Sequence, residues 1–124
     1  MLVAAALLLS GCATVKPIAL VDPPSGQQVD LRRDQEMILQ LPANPSTGYR
    51  WHIELTASAV LDELDREHYV PASTAGGAAG AGGLSVWRFR AARSGTDLLR
   101  LVYQRPFETK VPPAKSVVYT INVR

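Results

Sequence analysis

Tyr49-Arg50-Trp51-His52-Ile53-Glu54-Leu55-Thr56 alternates apolar and polar side chains without a break. Successive residues of a strand point to opposite faces, so this period of two makes one apolar face and one wet face. A slip of one residue would expose the whole apolar row. The same period recurs on both sides of it. Met37, Leu39 and Leu41 come before; Trp87, Phe89 and Ala91, then Leu99, Leu101 and Tyr103, then Val117, Tyr119, Ile121 and Val123 come after. From Gln27 onward the chain reads as a series of strands, each with one buried face. Turn chemistry separates them at Pro23 to Gly26, Pro42 to Gly48, the glycine and alanine run Gly76 to Gly83, Ser94-Gly95 and Pro112-Pro113. Between Ser58 and Val70, Val60, Leu61 and Leu64 fall at helical spacing. That stretch is short for a stable helix and Pro71 ends it, so it reads as a turn followed by a strand from about Glu63 to Val70. The expected fold is all-β: an immunoglobulin-like antiparallel β-sandwich of about seven or eight strands, over residues 26–124.

Composition narrows the function. The chain has 124 residues, 13 Lys plus Arg against 11 Asp plus Glu, and a formal net charge of +2. A domain of this size buries roughly two-thirds of the surface its unfolded chain exposes, enough for one core. A single Cys excludes a disulfide scaffold. Charges of both signs without a dense Lys/Arg run give little hold on a phosphate backbone, so no nucleic-acid partner is expected.

The first residues read as an address. Met1 to Leu9 are uncharged and apolar, and Ser10, Gly11 and Cys12 follow. The segment is too short to span a bilayer, which takes about 20 apolar residues, and fits the core and cleavage site of an export signal. Leu9-Ser10-Gly11-Cys12 resembles a bacterial lipobox, in which the Cys takes the lipid and becomes the first mature residue. The segment departs from that pattern in carrying no Lys or Arg ahead of its apolar core. The expected organisation is an export signal over residues 1–11, a lipidated Cys12 with a spacer over 12–25, and the β-domain beyond. Pro17, Pro23 and Pro24 would stiffen that spacer. Lipidation would block the thiol and anchor the domain in the cell envelope. Ala13, in the place where Asp would retain a lipoprotein, resembles an outer-membrane destination facing the periplasm.

Three loops stand apart from the strand pattern. In Asn44-Pro45-Ser46-Thr47-Gly48-Tyr49, Asn44 can cap a turn, Pro45 presets φ and Gly48 permits the positive φ that returns the chain to a strand. Ser46 and Thr47 are then exposed at a stiff tip. Gly80-Ala81-Gly82-Gly83 has almost no side chains, so another backbone can approach it closely. Arg105-Pro106-Phe107 presents a cation, a rigid bend and an aromatic ring directly after a strand.

These three segments, in this order, resemble the loops of the chagasin family, β-sandwich inhibitors of papain-like cysteine peptidases. The resemblance rests on Asn44 to Tyr49 with Trp51, on Gly80 to Gly83 ahead of Trp87 and Phe89, and on Arg105 to Phe107, within residues 27–124. It implies a reversible wedge of three loops filling the peptidase cleft. Ser46 and Thr47 would sit near the catalytic pair of the target, Gly80 to Gly83 on the acyl side, and Arg105 to Phe107 on the leaving-group side. A preformed loop loses little entropy on binding, which suits an inhibitor without reactive groups. Phe107 stands where the family usually has Trp, and Ser46 where it has Thr, and both changes predict weaker or retuned inhibition.

The rest of the chain offers no catalytic constellation. His52 and His68 are separated and lack Cys partners, so they read as solvated rather than as metal ligands. Asp62, Glu63, Asp65 and Glu67 read as a solvated face without an orienting partner, and Ser25, Ser46 and Ser94 lie in no nucleophile-elbow pattern. The expectation is a monomeric inhibitor that is not an enzyme and takes no cofactor or metal. The alternative is a non-inhibitory envelope lipoprotein using the same fold as a binding module.

Overall fold

The computed structural model describes residues 15–72 and 82–124. Cys12, Gly80 and Ala81, together with the export signal, lie outside the described residues. Eight strands run in chain order as β1 (Ile18–Val21), β2 (Gln28–Leu31), β3 (Glu36–Ala43), β4 (Arg50–Thr56), β5 (Leu61–Pro71), β6 (Gly83–Ala91), β7 (Gly95–Gln104) and β8 (Lys115–Val123). They form two four-stranded sheets, one ordered β1-β3-β6-β5 and the other β2-β8-β7-β4. The inward rows anticipated on β3, β6 and β7 are buried between the sheets, as are Trp51, Tyr119, Ile121 and Val123. Burying one large apolar side chain stabilises the fold by about 1.5–3 kcal/mol, so these rows fix the register of both sheets.

Five features differ from the expectation. The sheets are not antiparallel throughout: β1 lies parallel to β3, and β2 parallel to β8. The chain crosses between the sheets after β1 and again after β2, so β3 returns to the first sheet running in the direction of β1. The stretch expected as spacer contains β1, whose Ile18 and Leu20 pack against the core. All four residues of that strand are apolar, which hides its period.

Leu55, placed inward by the alternation, is 47% exposed. The β4–β7 register shifts between Ile53, opposite Leu101, and Leu55, opposite Arg100, so Glu54 is the extra residue of a bulge that inverts the face beyond it. Buried Ala57 and Val60 close the core there, in a turn where Ala57 takes a φ of +52°.

The acidic face of β5 is open to solvent as expected, but Asp62, Asp65 and Glu67 on it have partners that the sequence did not show. Asp62 meets Arg90 at 3.3 Å and Arg93 at 3.0 Å, Asp65 meets Arg88 at 2.6 Å, and Glu67 accepts from Ser85 Oγ at 2.7 Å. Antiparallel pairing of β5 with β6 sets Asp62 opposite Arg90 and Asp65 opposite Arg88. The hydrogen bond from Arg93 is the leading cause that holds the Asp62 carboxyl below its ordinary range. His52 is half-buried, with its Nε2 out of water and without a hydrogen-bond partner.

Candidate functional site

Topology gathers the three loops at one end. Connections β3–β4, β5–β6 and β7–β8 all leave from the edge where Ala43 pairs with Gly83, Gly83 with Pro71, Arg50 with Gln104, and Tyr103 with Lys115. Two hydrogen bonds tie the sheets together there. The Asn44 N–H donates to the Tyr103 hydroxyl at 3.1 Å, and Trp51 Nε1 donates to the Pro42 carbonyl at 3.0 Å.

The first loop is a short 3-10 turn, Pro45–Thr47, built as its sequence requires. Asn44 is its cap: its Oδ1 accepts from the Ser46 N–H at 3.3 Å and from Ser46 Oγ at 2.6 Å, while Thr47 Oγ1 donates to the Asn44 carbonyl at 2.7 Å. Gly48 ends the turn at φ +83°, and a Cβ there would lie 3.4 Å from the Phe107 ring. Pro45, Ser46 and Thr47 are exposed. Both hydroxyl protons of the tip are spent inside the loop, so the tip offers its neighbours oxygen lone pairs and the Thr47 methyl group.

The third loop leans on the first. Arg105 Nε donates to the Thr47 carbonyl at 3.1 Å, its guanidinium carbon lies 4.5 Å from the centre of the Tyr49 ring, and its Nη1 meets Glu108 Oε1 at 3.1 Å. Tyr49 in turn stacks on Tyr103 with ring centres 5.3 Å apart, and Tyr103 lies 4.9 Å from Trp51. The cation expected to reach outward is therefore half-buried and turned inward. Pro106 and Phe107 are exposed, and Phe107 keeps 72% of its surface in water.

Of the second loop, Gly82 and Gly83 lie among the described residues. The Gly82 carbonyl accepts from the Ala72 N–H at 2.9 Å, closing the base of the loop. A Cβ on Gly83 would collide with the Val70 carbonyl oxygen and lie 2.8 Å from the Tyr69 hydroxyl, so only glycine lets β5 and β6 close at this point.

Two residues essential to this geometry escaped the motif reading. Tyr103 reads as core from its alternation, yet its hydroxyl also holds the first loop. Glu108, three residues after Arg105, has the spacing of a local ion pair and could have been found from it. Among the described residues no group of three His, Cys, Asp or Glu side chains could hold a metal ion. Among the described residues the first and third loops are braced against each other beside the closed base of the second, and no acid–base or nucleophilic group is set against another at this end.

Comparison with known proteins agrees with this fold. The sequence model of the Chagasin family peptidase inhibitor I42 matches residues 30–123. Amoebiasin-2 of Entamoeba histolytica is 32% identical over 89 residues, which cover 69% of this chain and 68% of that protein. The crystal structure of the cysteine protease inhibitor EhICP2, also from Entamoeba histolytica, is similar with a TM-score of 0.72 at 22% identity, over 88% of this chain and 96% of the other. PbICP-C, solved in complex with falcipain-2, is similar with a TM-score of 0.56 at 16% identity, over 89% of this chain and 100% of the other.

Proposed function

The chain belongs to the chagasin family of peptidase inhibitors, and from that premise we propose that it inhibits papain-like cysteine peptidases reversibly by seating three loops in the active-site cleft. The observation that carries this reading is the convergence of the loops on one end of the sandwich, with the first braced by Arg105 of the third. Ser46 and Thr47 lead into the cleft. The segment Gly80 to Gly83 lies along the acyl side, and Pro106 and Phe107 along the leaving-group side. Asn44, Gly48, Tyr49 and Arg105 shape the wedge. Capping and proline stiffness keep the loss of entropy on binding small. Family membership makes the chain an inhibitor rather than an enzyme.

Cys12 is the lipid anchor of this reading, holding the domain in the outer membrane on its periplasmic side. The domain acts as a monomer, since its edges discourage sheet-to-sheet pairing: β1 and β2 are four residues long, β4 is bent by its bulge at Glu54, and β5 is broken by register shifts and lined with charge.

Replacing Thr47 with Glu tests the wedge. A carboxylate at the tip would have to be buried without a partner, so the inhibition constant for papain should rise about a hundredfold while the circular dichroism spectrum stays unchanged. Unchanged inhibition by a folded Thr47→Glu protein would remove the tip from the mechanism.

A further inference from the structure

We propose that the end of the sandwich opposite the loops is a surface that meets anionic phospholipid headgroups, so that the inhibitory loops point away from the bilayer. The proposal rests on the reading of Cys12 as a lipid anchor.

Strand direction sets the geometry. β1 begins at Ile18 opposite Met37, near the start of β3, whereas the loops lie beyond the far end of β3. The chain therefore enters the fold at the base. β2 ends at the base with Leu31, followed by Arg32 and Arg33, and β8 ends there with Val123 and Arg124. Six residue steps separate Cys12 from Ile18, a reach of at most about 20 Å when fully extended. The sandwich is longer than that: the ten residues of β7 span about 30 Å. A loop-down orientation would lift Ile18 beyond the reach of its own anchor, so the tether favours the base.

The base is also the end with chemistry for a headgroup. Lys16, Arg32 and Arg124 line one open cleft of about 450 Å³ together with Val15, Asp30, Leu31 and Gln35. Gln35 builds it, donating from Nε2 to the Lys16 carbonyl at 3.0 Å and accepting the Arg32 N–H at 3.0 Å. Lys16, Arg32, Arg33 and Arg124 are exposed, and none is within ion-pair distance of a carboxylate among the described residues. Arg88, Arg90, Arg93, Arg100 and Arg105 each have an acidic partner. Two acids lie near the basic group. Asp30 accepts from Gln28 Nε2 at 3.0 Å and Asn122 Nδ2 at 3.2 Å and also feels the charge of Arg124, beyond ion-pair distance, and Asp34 is exposed in the turn after Arg33. Four residue steps from Cys12 hold Lys16 within about 14 Å of the lipid attachment. That tether is short enough to let Lys16 lie within one Debye length of the surface, about 8 Å at physiological ionic strength, where the potential of an anionic leaflet acts on it. Arg50, Lys110 and Lys115 are exposed at the loop end, so charge alone would not choose between the ends; the tether does.

The lysines provide a built-in footprint, because Lys16 marks the base and Lys110 and Lys115 mark the loop end. Residues 12–124, which contain every described strand, are coupled through the single thiol to a maleimide lipid. The vesicles are phosphatidylcholine alone or phosphatidylcholine with about one-third phosphatidylglycerol. Acetylation of each lysine is then followed by mass spectrometry. On the anionic vesicles Lys16 should react about threefold or more slowly than in the untethered domain, with Lys110 and Lys115 unchanged. The protection should fade toward 1 M salt, where the Debye length is about 3 Å, and in an Arg32→Glu, Arg33→Glu protein. Equal protection of the three lysines, protection of Lys110 and Lys115 alone, or the same Lys16 protection on both lipids would overturn the proposal. The footprint depends on neither peptidase inhibition nor lipidation in cells. Those readings are checked separately, by titration of a peptidase and by the mass of the mature N-terminus.

Discussion

Arg105 Nε donates to the main-chain oxygen of Thr47 across 3.1 Å, so the third loop grips the tip of the first. The same guanidinium covers the Tyr49 ring and pairs with Glu108, which leaves little of its charge for a partner. Its contribution to inhibition is to hold a shape. Arg105→Ala should raise the inhibition constant about tenfold or more while costing about 1–3 kcal/mol of stability, for one hydrogen bond, one exposed cation–ring contact and one surface ion pair. Arg105→Lys should rescue little of it, because a compact ammonium cannot both cover a ring and reach two acceptors. Inhibition constants and denaturant midpoints for the two variants check this.

Phe107 gives the opposite pattern. With most of its ring in water it contributes little to the core, and exposed aromatic side chains are frequent anchors of binding. Phe107→Ala should leave the denaturation midpoint nearly unchanged and weaken inhibition about tenfold or more. Phe107→Trp should equal or tighten it. Calorimetric titration against papain reads both.

Leu55 tests the bulge. If the register shift at Glu54 turns it outward, Leu55→Thr should change stability by no more than about 0.5 kcal/mol, as for an ordinary surface site. Leu101→Ala, on the buried row opposite Ile53, should cost about 2–5 kcal/mol. Urea unfolding of the two proteins separates the straight strand from the bulged one.

Much of this was legible in the chain because period two and turn chemistry are local signals. Met37, Leu39 and Leu41, or Asn44, Pro45 and Gly48, state their roles within a few residues. The missed features depend on partners distant in sequence. The bulge that exposes Leu55 is a property of β4 against β7, and the ion pairs of Asp62 and Asp65 require β5 to lie beside β6. β1 was invisible because four apolar residues in a row have no period. At the loops, the turn at Asn44 could be read directly, whereas the inward turn of Arg105 could not, since its acceptor at Thr47 is 58 residues away.

Tyr119 predicts an alkaline limit. Its hydroxyl donates to the Pro23 carbonyl at 2.8 Å, and burial, with Asp22 adding to it, pushes its pKa up to about 12. The ordinary value is about 10, so folding favours the protonated form. The stability it contributes is complete below about pH 10 and is lost as the pH rises toward about 12. Tyr119→Phe should cost about 1 kcal/mol at neutral pH and make the fall in stability over that window shallower. Chemical denaturation between neutral pH and pH 12 reads the difference.

The central claim, that three loops close the cleft of a cysteine peptidase, is tested most directly by titrating residues 13–124 against papain and a cathepsin L-like enzyme, with a serine peptidase as control. Reversible, substrate-competitive inhibition confined to the cysteine peptidases is the predicted result. A folded domain that leaves both cysteine peptidases fully active at micromolar concentration would contradict it.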